Sequence, residues 1–274
     1  MSALQVIGDP VLHSLSPRIH GAMLTELGLD IPYTAHVVKK GGLPEYLAWA
    51  GENGITGFNA TMPHKEDLLP LLDQVGEDAA RFGAVNTVCL RQGRLIGHNT
   101  DGAGCLAALE EAGLWPAGRV VVLGAGGAAR AMAMKLAASG TERVWVCNRT
   151  VGKAERLCSL PNMTPAGFDP ETLAGLCAGA DLLVNGTSLG MEGCPDRFRD
   201  FSFLDALPSH AGVFDAIYHP PETELLARAK RQGLKVCNGL PMLIHQAIFA
   251  LEYFLDRPLD HARMGRVVRA ALGR

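Results

Sequence analysis

Residues 120–129 read VVVLGAGGAA, an apolar strand pattern that runs directly into a glycine-rich turn. The alanine-rich residues that follow have the composition of a helix. A G-x-G-x-x-A segment between a strand and a helix is typical of dinucleotide binding, because Gly124 allows the tight turn and Gly126 lets the backbone approach a pyrophosphate. Ala129 is small enough for the helix to pack against the strand. A turn that serves only as a connection is the competing interpretation, but strand, spacing and helix all agree with dinucleotide binding.

The next strand pattern indicates which dinucleotide to expect. It covers residues 144–147 and leads into Arg149, whereas an NAD enzyme usually has an acidic residue here for the ribose 2′-hydroxyl. Arg149 is suited to stack on adenine and to pair with a 2′-phosphate, and Lys153 adds a second cation one helical turn later. A solvated cationic helix start is the alternative, yet two cations at a helix N-terminus oppose its dipole and attract an anion. We therefore predict NADP in preference to NAD, bound by Gly124, Ala125, Gly126, Gly127, Ala128, Asn148, Arg149, Thr150 and Lys153.

Strand and helix patterns alternate outward from this turn in both directions. Further apolar strands are expected at residues 182–184 and 213–214, and the N-terminal part alternates between strands and helices over residues 4–7, 16–27, 33–38 and 43–50. This alternation predicts an α/β fold with mainly parallel strands and a doubly wound nucleotide-binding domain.

The end of the chain changes character. Ile244, Ile248 and Leu251 recur at helical spacing, and a second helix is expected after Pro258. The nucleotide-binding pattern is complete by about residue 238, so we expect these helices to return to the N-terminal domain and make it discontinuous. The predicted domains are residues 1–101 with 239–274 for substrate binding and catalysis, and residues 102–238 for NADP binding.

Composition excludes several classes of function. With 274 residues, 48% hydrophobic and 19% charged, and a net charge of -3, the chain has room for two domains and lacks the excess of basic residues typical of nucleic-acid binding. No apolar run reaches roughly 18 residues and the N-terminal residues lack a leader pattern, so we expect neither a membrane span nor export. Seven cysteines without a C-x-x-C pair indicate reduced thiols in the cytoplasm, and the histidines lack an H-x-x-x-H metal pattern.

Three polar segments in the N-terminal part are candidates for the chemistry. Residues 57–65 end in Lys65, next to Pro63, which suits the first turn of a following helix, and a solvated lysine is an equally simple interpretation. Asp101 lies at the junction of the two domains, where it serves either as a helix N-cap or in a cleft between them. Ser16 before Pro17 resembles an N-cap, which leaves Ser14 unexplained.

Together these segments resemble a known family. The motifs SLSP at 14–17, NATMPHK at 59–65, GAVNT at 83–87 and NTDG at 99–102 look like signatures of the shikimate dehydrogenase family and occur in its order. The second half agrees in GAGGAA at 124–129, NRT at 148–150, NGTS at 185–188, DAIY at 215–218 and the segment 239–246. The resemblance therefore spans essentially the whole chain.

The resemblance implies a Rossmann-type NADP domain, a second α/β domain for the substrate, and a reversible reduction of 3-dehydroshikimate to shikimate on the route to chorismate and the aromatic amino acids. It implies that Lys65 and Asp101 form the catalytic pair, with Lys65 exchanging the hydroxyl proton. The implied substrate-binding residues are Ser14, Ser16, Asn59, Thr61, Lys65, Asn86, Asp101, Tyr218 and Gln246. Those implied around the nicotinamide are Thr187, Ala216, Gly239 and Met242.

Two features depart from the family pattern and two alternatives stay open. Pro241 stands where family members often have glycine, and Ala216 where they often have a bulkier apolar residue. Proline removes an N–H, so cofactor placement here is expected to differ from the family norm. A quinate/shikimate paralogue that uses NAD is the nearest alternative, and a non-catalytic nucleotide-binding regulator is the other. We expect a monomer or homodimer.

Overall fold

The computed structural model describes residues 2–273, which fold into two compact units. Of the described residues, the first unit comprises residues 2–104 and 244–273, and the second comprises Cys105–Leu243. The chain passes between the units within two helices, α4 (Asp101–Glu111) and α9 (Leu240–Leu255). The predicted α/β class with two domains is confirmed, while the predicted residue boundaries stay a prediction.

A six-stranded sheet forms the centre of the first unit, in the order β2-β1-β3-β5-β6-β4. Its strands are β1 (Ala3–Gly8), β2 (Tyr33–Val37), β3 (Ile55–Ala60), β4 (Gln74–Val75), β5 (Thr87–Arg91) and β6 (Arg94–His98). The strands are mainly parallel, as expected, but β5 runs antiparallel to both β3 and β6. The reason is a two-residue hairpin turn in which Gln92 and Gly93 have φ of 51° and 75°, as a tight turn between twisted strands requires.

The helices that cover this sheet come from both the N-terminal and the C-terminal parts of the chain. The N-terminal part supplies α1 (Ser16–Glu26), α2 (Leu43–Glu52) and α3 (Glu77–Phe82), and the C-terminal part supplies α9 and α10 (His261–Ala271). Gly57 of β3 leaves space for the Phe254 ring of α9, since a Cβ there would lie 2.6 Å from that ring. Arg263 of α10 pairs with Glu26 of α1 at 2.6 Å. The C-terminal helices therefore belong to the N-terminal sheet.

The second unit is built on a parallel six-stranded sheet in the order β12-β11-β10-β7-β8-β9. Its strands are β7 (Arg119–Leu123), β8 (Arg143–Cys147), β9 (Met163–Ala166), β10 (Leu182–Asn185), β11 (Gly212–Asp215) and β12 (Lys235–Cys237). Its helices are α5 (Gly127–Ala138), α6 (Val151–Leu157), α7 (Pro170–Cys177) and α8 (Glu224–Arg231). The strand order reverses between β7 and β10, and ligands of doubly wound sheets bind at the carboxyl ends of the strands at such a reversal.

Burial explains why these strands are so apolar. The side chains of β7 from Val120 to Leu123 have 0% exposure, as expected for strands of a parallel sheet with helices on both faces. Among residues 2–273, no helix is long and apolar enough to cross a membrane. All seven cysteines are free thiols.

Candidate active site

Lys65 and Asp101 meet in the first unit. The Lys65 Nζ donates to Asp101 Oδ2 at 2.6 Å, and their side chains are 23% and 10% exposed. Asn86 Nδ2 donates to the other carboxylate oxygen at 2.8 Å, so both oxygens of Asp101 are engaged. The backbone of the lysine is fixed as well, because Val85 N–H donates to its carbonyl oxygen at 2.7 Å. The ammonium group of a mostly buried lysine side chain is thus held against one carboxylate.

The structure rules out the N-cap interpretation of Asp101, one of the two left open, and the helix start expected near Lys65. Asp101 is not the N-cap of α4: Gly104 N–H donates to the Thr100 carbonyl, and the Asp101 carboxylate points to the lysine instead. Lys65 does not follow the start of a helix either. The chain from residue 61 to 68 forms turns, in which His64 N–H donates to Thr61 O, and only a short 3-10 helix at Leu69–Leu71 follows.

Asn86 connects this pair to the other polar side chains of the first unit. Its Nδ2 also donates to Thr100 Oγ1 at 3.0 Å, and its Oδ1 accepts from Thr100 N–H at 2.9 Å. Thr100 in turn donates to Gln246 Oε1 of α9 at 3.5 Å, at the long limit of a hydrogen bond. Residues that are far apart in sequence are therefore gathered around Asn86.

Asn59 is buried and bonded to protein groups on both ends of its amide. Its Nδ2 donates to Asn86 O and Thr87 Oγ1 at 3.1 and 3.0 Å, and its Oδ1 accepts from the Tyr33 hydroxyl at 2.7 Å. An amide has two N–H donors, and both are used here. Asn59 therefore fixes the positions of Tyr33, Thr87 and the Asn86 backbone. Sequence reasoning missed Tyr33, since a tyrosine at the start of a strand gives no signal of its polar partner.

The two serines lie at the start of α1. Ser16 is not an N-cap: the helix begins at Ser16, its preceding residue Leu15 makes no side-chain cap, and Ser14 Oγ accepts from Ser16 N–H at 3.2 Å. The two hydroxyls are 3.1 Å apart. Thr61 follows β3, and Gly8 lets its methyl group approach, because a Cβ on that glycine would lie 2.4 Å from it. Eight of the nine predicted substrate-binding residues lie in the first unit, and Tyr218 lies in the second.

The glycine turn of the second unit has the predicted form. Gly124 has a φ of 103°, which only glycine adopts readily, and Gly126 is the N-cap of α5. A Cβ at Gly126 or Gly127 would meet nothing within 4 Å, so this backbone faces open space. Gly186, which follows β10, packs closely against α5, since a Cβ there would lie 2.7 Å from that of Ala129. Open backbone N–H groups at a helix start suit a pyrophosphate.

A cavity of about 250 Å³ lies beside this turn. Six of the predicted cofactor residues line it: Gly124, Ala125, Gly126, Asn148, Arg149 and Thr187. Four lining residues were not predicted, namely Phe168, Gly186, Ser188 and Leu189. Arg149 is 74% exposed, with one guanidinium nitrogen 3.8 Å from Asp196. Thr150 is the N-cap of α6, and Lys153 N–H donates to its carbonyl oxygen in the first turn. The two cations predicted to recognise a 2′-phosphate therefore lie at the start of one helix.

The residues predicted to surround the nicotinamide lie at the carboxyl ends of β10 and β11 and at the start of α9. Thr187 Oγ1 donates to Asn185 Oδ1 at 2.6 Å. Gly239 contacts Ala216 so closely that a Cβ would lie 2.0 Å from the Ala216 carbonyl oxygen. Pro241 lies in the first turn of α9, where a backbone N–H has no helical partner, so this departure from the family pattern does not disturb the helix.

Comparisons with known proteins agree with this architecture. A family model described as Shikimate dehydrogenase substrate binding domain matches residues 6–88, and one described as Shikimate / quinate 5-dehydrogenase matches residues 107–189. The curated Shikimate dehydrogenase (NADP(+)) of Symbiobacterium thermophilum is 43% identical over 271 residues, which cover 95% of this chain and 92% of that protein.

Solved structures extend the likeness to the whole chain. The shikimate 5-dehydrogenase of Thermus thermophilus, in complex with NADP(H) and shikimate, is 38% identical with a TM-score of 0.85, over 99% of this chain and 100% of that one. The quinate dehydrogenase of Corynebacterium glutamicum, in complex with NAD, is 32% identical with a TM-score of 0.87, over 98% and 99%. The family predicted from the motifs is confirmed: the chain belongs to the shikimate dehydrogenase family.

Proposed function

We propose that this protein is an NADP-dependent shikimate dehydrogenase, an oxidoreductase that interconverts 3-dehydroshikimate and shikimate. The observation that carries the proposal is the 2.6 Å contact between Lys65 and Asp101 within a network of polar side chains. A binding protein without catalysis has no need of an ammonium group held in this way, which argues against a silent regulator. The relatives named as NADP-dependent shikimate dehydrogenases support the same reaction.

The residues of the second unit fit NADP. The open backbone at Gly126 and Gly127 and the N-terminus of α5 suit the pyrophosphate, while Arg149 and Lys153 suit a 2′-phosphate. We assign the adenosine side of the site to Asn148, Arg149, Thr150 and Lys153, and the nicotinamide side to Thr187, Ala216, Gly239 and Met242. When bound, NADPH supplies the hydride that reduces the substrate carbonyl.

Lys65 supplies the proton in this mechanism. In the reductive direction its ammonium group donates a proton to the oxygen of the substrate carbonyl as hydride reaches the carbon, and in the oxidative direction the neutral amine accepts the hydroxyl proton. Asp101 holds Lys65 at 2.6 Å and is itself held by Asn86, so we assign it the orientation of the lysine and a contact with a substrate hydroxyl. Both residues are thus catalytic in this proposal.

The remaining polar side chains fit a small, hydroxylated carboxylate. Ser14 and Ser16 present two hydroxyls 3.1 Å apart, and Asn86 and Gln246 add amide groups on either side of Thr100. We assign substrate contacts to Ser14, Ser16, Thr61, Asn86, Tyr218 and Gln246, and to Asn59 the shaping of the pocket. The seven free thiols accord with a reducing compartment, and we propose the cytoplasm as the location.

The test is a steady-state assay of nicotinamide absorbance that crosses shikimate and quinate with NADP and NAD. We expect turnover chiefly of shikimate with NADP, and a loss of about 1,000-fold or more in kcat for Lys65→Ala, because the proton-transfer group is removed. Lys39→Ala, at an exposed lysine outside the network, serves as the control and should retain wild-type rates.

The outcomes separate the alternatives. A preference for quinate or for NAD would transfer the protein to the quinate dehydrogenase branch, whose solved relative binds NAD. The absence of turnover with every pair, in protein that still binds NADP, would leave a nucleotide-binding regulator and overturn the assignment of Lys65.

A further inference from the structure

Asp215, the last residue of β11, is a buried carboxylate that the mechanism above does not use. Its side chain has 0% exposure, and it lies among Asn185 of β10, Thr223 at the start of α8 and the backbone of Ile217. Burying a carboxylate is costly unless several donors satisfy it. The donors around Asp215 therefore show what this residue organises.

Three donors converge on the carboxylate. Asn185 Nδ2 and Ile217 N–H donate to Oδ1 at 3.0 and 3.1 Å, and Thr223 Oγ1 donates to Oδ2 at 2.6 Å. One of them is the backbone of the segment after β11, and another is the final side chain of the neighbouring strand. Asp215 thus joins the ends of two parallel strands at the edge of the sheet where the glycine turn also lies.

The network continues from Asn185 into the loop after β10. Asn185 Oδ1 accepts from both the N–H and the Oγ1 of Thr187, at 3.0 and 2.6 Å, and Thr187 Oγ1 accepts from Leu189 N–H at 3.1 Å. Because the Nδ2 of Asn185 is bonded to Asp215, the carboxylate sets which way the Asn185 amide faces, and so which group meets Thr187.

A second branch runs through the segment after β11. The bond from Ile217 N–H fixes the turn at Ala216, whose own N–H donates to Asn185 O at 2.9 Å. Ile217 O accepts from Gly239 N–H at 3.0 Å. One carboxylate therefore holds Thr187, Ala216 and, one bond further, Gly239, three of the four residues that we assign to the nicotinamide side.

We propose that Asp215 is a positioning residue that holds Thr187 and the Ala216–Ile217 backbone in the shape that receives the nicotinamide ring. This inference rests on the proposed function. Burial raises the pKa of Asp215 to about 6, although the hydrogen bonds from the three donors oppose this rise. The carboxylate is therefore ionised at neutral pH and accepts all three bonds.

The test compares Asp215→Ala with Asp215→Asn. Alanine leaves three donors without an acceptor, whereas asparagine keeps an oxygen for Asn185 and Ile217, and the Thr223 hydroxyl can rotate to accept from the new amide. For Asp215→Ala we expect kcat for shikimate oxidation to fall about 10- to 100-fold, the scale of a small misplacement of reacting groups. Asp215→Asn should recover most of this rate.

Binding separates positioning from a general loss of structure. Adenosine 2′,5′-bisphosphate carries the adenosine half of NADP but no nicotinamide, so its Kd reports on the glycine turn and Arg149. We expect Asp215→Ala to change this Kd by no more than about twofold. NADP, which binds the wild type more tightly than the fragment does, should no longer bind this variant more tightly. Asp181→Ala is the matched control. Asp181 directly precedes β10, at the opposite end of the strand from Asn185, and its carboxylate accepts from Arg119 N–H. The kcat of this variant should be unchanged.

Several outcomes would overturn the inference: a wild-type kcat in Asp215→Ala, a parallel loss of fragment affinity, or an Asp215→Asn variant as impaired as the alanine variant. If Asp215→Ala does not fold, Thr223→Val removes one of the three donors and should lose about 3- to 10-fold in kcat. If the wild type binds NADP but does not oxidise shikimate, the proposed function fails, and the two Kd values still test Asp215.

Discussion

At the scale of single residues, Asp101 links Lys65, the proposed proton donor, to the rest of the polar network. Replacing it with asparagine removes the charge that faces Lys65 while keeping the shape of the side chain. We expect kcat to fall about 100-fold and the KM for shikimate to rise, because the lysine loses its orientation and a substrate hydroxyl loses an acceptor. Steady-state kinetics check this, with the exposed Asp67→Asn as control. Unchanged kcat and KM in Asp101→Asn would refute the assigned role.

We propose that Arg149 selects between the two dinucleotides. Its guanidinium is exposed beside the glycine-turn cavity, where a 2′-phosphate would gain a charge-assisted, bidentate contact. We expect Arg149→Ala to raise the KM for NADP about 10- to 100-fold, which corresponds to the loss of one such contact, and to change the KM for NAD little. Arg156→Ala, in the last turn of α6, is the control. Equal losses with both cofactors would show that Arg149 binds adenine and does not select NADP.

The site residues differ in how far sequence could predict them. Gly124 and Arg149 follow recognisable strands, so their roles can be argued from local chemistry alone. The pairing of Lys65 with Asp101 is carried by a long-range contact that only the family resemblance indicated. Phe168 and Tyr33 escaped prediction, because a side chain in or just after a strand gives no sign of which neighbour it meets across the fold.

At the scale of helices and strands, the contact between α5 and the end of β10 depends on Gly186. A methyl group there would lie 2.7 Å from Ala129 Cβ and 2.8 Å from Met132 Cε, so the helix must shift away from the sheet. We expect Gly186→Ala to lower the free energy of unfolding by about 1–3 kcal/mol, the usual cost of overpacking. Denaturant unfolding measures this change. Gly175→Ala in α7, where a Cβ meets nothing, should be neutral or stabilising, and an equal loss there would contradict the packing argument.

Elements with a strong repeating pattern were predicted well and irregular ones were not. The predicted helix at 16–27 and strand at 33–38 correspond to Ser16–Glu26 and Tyr33–Val37. Three short strands, β4, β9 and β12, have between two and four residues, too few to show an alternation of side chains. The β5–β6 hairpin turn has Gln92 where asparagine or aspartate usually signals such a turn, so its antiparallel pairing was missed.

At the scale of the whole molecule, the two units differ in how acid affects them. His20 is buried in the first unit, stacked on Tyr33 at 4.2 Å, and burial lowers its pKa to about 3. Burial and, to a smaller extent, the positive charge of Arg91 lower the pKa of His98 to about 4. Both histidines are neutral in the folded state but take up a proton in the unfolded state below about pH 6.5, so acid favours unfolding of this unit. In the second unit the raised pKa of Asp215, about 6, has the opposite effect, because the folded state binds its proton first.

The first unit should therefore lose stability before the second as the pH falls from about 6 to 4.5. His20 alone contributes a slope of about 1.4 kcal/mol per pH unit, since one extra proton binds to the unfolded state. Amide hydrogen exchange, corrected for the intrinsic effect of pH, would show protection falling in α1 and β2 while it is kept in α8 and β11. His20→Phe should make the stability of the first unit less dependent on pH. Asp215→Asn should remove the stabilisation that the second unit gains as the pH falls. Equal loss of protection in both units of the wild type would mean that these buried groups do not control the response to acid.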